Sequence, residues 1–429
     1  MAICAFNHRI APQFDLRDLP KHVQRENERR MRSRFAWLLG ILILLAVGLL
    51  VACGRKYSSS ANGLVVVPTQ GSAVMDTFSL NLNNGAVTRI NNTAGPPTPG
   101  APTNIVIDPA GQFVYVIVTQ TSALPGSLTG IATYKVGSDG KLSSAGTTAM
   151  SNPVALAMDS DGKFLFVANG TDGTVTVLSV SSGTLNEVGV TGIQSGPQGP
   201  ANVTALAASP TVFPSIYAAC SGKAAPTSEN LYVTDSQNYL VWEFGVSSSG
   251  ALGNPPGDQS PLSFATGTLP SGVAVDPCNR FLYVANQSPD NSISSYTICN
   301  TLLLPVCPVA DGSLVEVQGS PFPTQGIDPG PMLEDPYGKH LYVVNTRSSS
   351  ITAYKIGQAT GALTAMTPSP IATNSQPKSI AIRSDGLWLF VANFNSANVS
   401  QYAVTPASGQ LVPQAAFGTD NYPFGVAVK

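Results

Sequence analysis

One carboxylate sits where the sequence otherwise places hydrocarbon. Glu334 ends the run "PGPMLE", and the matching place in sister runs is taken by Ile107, Met158, Val275 and Ile382. A glutamate there either faces water or is buried at a cost of several kcal/mol unless paired. The next sister run, "PKSIAIRSDG", supplies Lys378 and Arg383 as the nearest expected cations. An acid beside two bases can polarise an ester carbonyl and position a water. It can also be a structural ion pair. Glu334, Lys378 and Arg383 are therefore the catalytic candidates.

A second set of polar residues recurs rather than stands alone. Asn169, Asp235, Asn286, Asn345 and Asn393 end successive apolar runs, with Val118 at the same place in the first. Their amide and carboxylate oxygens could line a rim that binds a sugar hydroxyl or a cation. Asn also serves turns and tolerates left-handed backbone, which fits the regular recurrence. His340 is the one histidine after residue 60. Aligned with Arg280 and Leu387, it is expected at an exposed strand edge, and no Ser-His-Asp set can be assembled around it.

The elements that position these residues repeat. "PTNIVIDPAGQFVYVIV" from Pro102 is followed by "PVALAMDSDGKFLFVAN" from Pro153 and "PSGVAVDPCNRFLYVAN" from Pro270. "PGPMLEDPYGKHLYVVN" from Pro329 and "PKSIAIRSDGLWLFVAN" from Pro377 continue the series, and a stretched copy begins at Pro200. Each unit reads as a short buried strand, a turn of Asp, Pro and Gly, and a second strand. An alternating third strand such as "SSITAYKI" and an outer fourth such as "GALTAM" follow. Four antiparallel strands every ~45–50 residues make a propeller blade. A seventh start, "PFGVAVK" at Pro423, ends with the chain, while "GLVVVPT" at Gly63 opens three strands that lack an inner one. The two fragments complete each other. The fold expected is all-β: a seven-bladed β-propeller over 63–429, closed by the C-terminal strand.

The "FLYVAN" and "LYVVN" signatures resemble the YVTN-repeat and lactonase families of seven-bladed propellers, which include 6-phosphogluconolactonase-like proteins. The resemblance covers residues 63–429. It implies the fold, and it implies hydrolysis of a sugar-derived lactone as an activity. The shortage of histidine instead suits a ligand- or protein-binding scaffold, which is the main expectation here.

Before the repeats, residues 1–34 carry eight of the 22 Lys and Arg but four of the 24 Asp and Glu. The remainder is net acidic, which argues against a nucleic-acid partner. "FAWLLGILILLAVGLLVA" (35–52) follows four arginines and precedes Cys53. This pattern resembles a bacterial lipoprotein signal (35–53) with Cys53 as the lipid-bearing residue; an uncleaved anchor has the same length. Met31 offers an alternative start, and 54–62 reads as a flexible tether. The domain is then expected outside the cytoplasm, in the periplasm or at the surface of a bacterium. Its expected partners are the membrane and a carbohydrate, lactone or protein ligand. In that oxidising setting Cys299 with Cys307 and Cys220 with Cys278 are the preferred disulfides. These four lack CxxC spacing, so no metal is expected, and no cofactor.

Overall fold

A computed structural model describes residues 62–90, 95–210, 229–254, 262–299 and 313–429. Runs rich in Val, Ile, Phe and Tyr pair there into seven antiparallel sheets. Numbered along the chain, blade 1 holds Asn62–Thr69, Val74–Asn81 and Val87–Arg89, with Ala427–Val428 as its inner strand. Blade 2 starts with Ala101–Ile107. Blades 3 to 7 start with Pro153–Met158, Val203–Ala208, Pro270–Val275, Pro329–Glu334 and Pro377–Ile382. Each inner strand touches the next around a full circle. The protein is a seven-bladed β-propeller.

The first and last strands fasten the ring. Val65 pairs with Val428 and Val66 with Ala427. Leu64 and Lys429 exchange two backbone hydrogen bonds of 2.9 Å. Further out, the Asp420 amide donates to Asp76, whose carboxylate also receives both terminal nitrogens of Arg89 at 2.8 and 3.0 Å. Closure removes the open sheet edge that would otherwise invite pairing with another chain.

Seven apolar clusters fill the joints, each drawing on two neighbouring blades. A single sheet cannot cover both its faces, so cohesion lies between blades. One contact repeats around the ring. The first residue of a second strand packs on a glycine in the outer turn of the next blade. Phe113 covers Gly183, Phe164 covers Gly250, Phe281 covers Gly361 and Trp388 covers Gly85 across the closure. Any Cβ on those glycines would lie within 2.5 Å of the ring.

The fourth strand departs from expectation in blades 4 to 7, where it breaks into two short pieces that both pair with the third strand. In blade 6 these are Leu363–Ala365 and Ile371–Ala372. Pro368 and Pro370 lie between them and have no N–H to give the ladder.

Candidate functional site

The turns joining first and second strands lie on one face of the ring; the prolines that open the inner strands lie on the other. Glu334 ends its strand on the turn face. It lines a cavity of about 340 Å³ at the channel mouth. The inner strands of blades 3, 4, 5 and 6 supply the rest of the lining, including Met158, Leu206, Val273 and Met332. Glu334 is 8% exposed, and both its carboxylate oxygens are buried beside the Asp276 carboxylate. Burial first, and then the neighbouring Asp276 carboxylate, push its pKa well above the usual carboxylate range; Arg280 opposes the shift. Desolvation favours the protonated form of Glu334.

Arg280 does not pair with it because its five N–H groups are engaged elsewhere. Nε and one terminal nitrogen grip Asp276 at 2.9 and 2.7 Å. That terminal nitrogen also reaches the Gly338 carbonyl at 3.2 Å. The other donates to the main-chain and side-chain oxygens of Gln358 at 3.3 and 3.2 Å. Blade 5 thus clamps the turn that follows Glu334 in blade 6. This strut was hidden in the sequence, although "DPCNR" held a signal: an arginine four residues after an aspartate that turns the chain.

The structure does not bring Glu334, Lys378 and Arg383 together. Lys378 begins its inner strand and Glu334 ends the neighbouring one. Inner strands run alike, so about four residues of rise, roughly 13 Å, separate their levels. Arg383 is on the turn face but binds Asp385 of its own turn. The sequence pattern matched strand levels one blade too far: the cation near Glu334 comes from the blade before it, not the one after.

His340 is likewise not the exposed edge residue expected. It is 3% exposed and stands in register with Phe281 and Trp388, one place beyond Arg280 and Leu387. The ring packs on Gly409, and Nδ1 lies 2.7 Å from Asp335. It is the joint residue of blade 6, a histidine where its neighbours use an aromatic hydrocarbon.

The Asn series is buried rather than presented as an open rim. Asn169, Asn286, Asn345 and Asn393 each donate from Nδ2 to the third strand. The acceptors are Thr176, Ser294, Thr352 and Ser400 at 2.9–3.0 Å. Asp235 accepts the amides of Asn202 and Gln237 and the side chain of Asn238. These groups clamp the strand ends. Cys278 and Cys299 are buried. Cys220 and Cys307 lie outside the described residues, and with them both expected pairings; so does Cys53 with its preceding apolar run. Among the described residues no three His, Cys, Asp or Glu side chains converge to hold a metal ion.

With this geometry in view, the similarities carry weight. Two curated relatives are named 6-phosphogluconolactonase. That of Pectobacterium carotovorum is 23% identical over 77% of this chain and 89% of its own. That of Erwinia tasmaniensis is 22% identical over 85% and 98%. The crystal structure of a periplasmic gluconolactonase from Pseudomonas aeruginosa superposes with a TM-score of 0.66 at 18% identity, covering 86% of this chain and 99% of that one. Residues 62–208, 254–366 and 325–426 match the family described as lactonase, 7-bladed beta-propeller, and the chain belongs to that family.

Proposed function

We propose that the protein hydrolyses a sugar-derived lactone at the turn-face mouth of its channel. The observation that carries this reading is the buried Glu334 carboxyl at the base of the channel-mouth cavity, in a chain of the lactonase family. A protonated carboxyl donates a hydrogen bond to the lactone carbonyl oxygen and raises the electrophilicity of its carbon. Water adds to that carbon and the ring C–O bond breaks. The proton from water goes to the departing alkoxide, leaving a hydroxy acid. Family and relatives support this reading ahead of the scaffold module. Export and a Cys53 membrane tether remain part of the proposal, supported by the N-terminal sequence pattern and by the periplasmic location of the Pseudomonas enzyme.

The test is acid release from δ-gluconolactone by the purified full chain, corrected for spontaneous opening. Glu334→Gln keeps the shape but replaces the O–H donor with a weaker amide N–H, and should slow turnover roughly 10-fold. Activity should also fall as pH rises through the raised pKa of Glu334, since only the protonated form donates. An unchanged Glu334→Gln rate removes Glu334 from the mechanism. No lactone hydrolysis at all returns the protein to the scaffold reading.

A further inference from the structure

We infer that the cavity selects an unphosphorylated lactone bearing a hydrocarbon substituent. This rests on the lactonase reading and narrows its substrate. The lining residues include no base, and their single ionisable member is an acid. Met158, Leu206, Val273, Val275, Met332 and Leu333 present hydrocarbon and thioether to the space beside Glu334. A phosphate is held by cations or by converging backbone N–H groups. Placed in this cavity it would meet no cation and face a carboxyl group. The nearest guanidinium cannot turn to meet it, because all five Arg280 donors are engaged in the strut between blades 5 and 6. On the far side of the turn face, Arg383 is bound to Asp385 and the Lys429 ammonium to the Pro109 carbonyl.

The space also suits such a ligand in size. About 340 Å³ lies at the low end of the range for small-molecule pockets. A lactone ring with a short chain along the valines and methionines matches that volume. Transfer of each methylene from water should improve kcat/KM roughly fourfold until the cavity is full.

The experiment uses the full chain in nanodiscs, with empty nanodiscs as the blank. Rates are compared for δ-valerolactone, its propyl- and butyl-substituted relatives, δ-gluconolactone and 6-phosphogluconolactone. The expected result is a rate that climbs with chain length and a phosphorylated lactone at least about 100-fold slower than its unphosphorylated parent. Ala207→Phe should narrow the cavity and flatten the chain-length series, and Leu333→Ser should weaken it. A flat series in the unaltered protein, or preference for the phosphorylated lactone, overturns the inference and leaves the lactonase reading standing. If no lactone is hydrolysed, the lactonase reading fails by itself. Calorimetry with the butyl-substituted δ-lactam then decides the cavity's preference: binding abolished by Ala207→Phe supports it, and no binding overturns it.

Discussion

Two joints of the ring each bury a glutamate, and they differ in instructive ways. Between blades 5 and 6, Glu334 comes from an inner strand and opens onto the channel mouth. Between blades 3 and 4, Glu229 opens a second strand, at the register position that Arg280 holds in blade 5. Burial first, then the charges of Asp159 and Asp161, raise the Glu229 pKa to about 8, with Lys163 opposing. Desolvation favours the protonated form of both acids. Glu334 lines the cavity at the channel mouth, whereas Glu229 opens a second strand within a joint. The blade 5 position that corresponds to Glu229 holds a saturated cation instead, and that joint is braced. Level along the strand, more than residue type, decides whether a buried acid lies by the channel or within a joint.

Removing the brace should give the largest effect. Arg280→Met strands the buried Asp276 carboxylate and releases the Gly338 turn. It should cost about 3–5 kcal/mol in chemical denaturation. A loss under 1 kcal/mol would mean that the two joints are equally soft and the contrast is false.

The blade 3–4 joint is tested through pH. The folded pKa of Glu229, about 8, lies above its ordinary value of 4.5, so the folded state holds the proton longer. The stability linked to this group is therefore complete below about pH 4.5 and disappears as pH rises toward 8. Glu229→Gln should lessen the fall in Tm between pH 5 and pH 8, by an amount worth a few kcal/mol. A variant whose Tm falls as steeply as the parent's would show that Glu229 is ionised throughout.

A smaller effect probes the repeating joint contact. A Cβ at Gly409 would lie 2.3 Å from the His340 ring, and the backbone there has φ of +68°. Gly409→Ala should cost roughly 1–3 kcal/mol. Gly418→Ala, where a Cβ meets no neighbouring atom, should cost clearly less. Equal losses would remove His340 from the joint contacts.

The architecture was legible because each blade spells its own turns and strand alternation locally, and because seven copies make the period unmistakable. The incomplete units at Gly63 and Pro423 even announced the closure. The broken outer strands were legible only in part: "TPSP" shows where a ladder must stop, but not that the chain resumes pairing beyond it. The candidate site was less legible. Glu334 stood out as a carboxylate among hydrocarbons, yet its partners were misassigned. The aligned repeats give a residue's level in a blade, but not which neighbour's side chain leans across the joint.

His340 marks the same boundary. A one-residue shift in alignment moves a side chain to the opposite face of a strand, and here it moved the histidine from solvent into a joint. Local sequence determined the blade, its count and its closure, because turn chemistry and two-residue alternation act over a few bonds. Which acid lies buried at the mouth, and which arginine is consumed in bracing it, were decided by packing between blades. Those contacts join residues as far apart as Arg280 and Gln358, and burial there sets charge state in a way that no short stretch of sequence encodes.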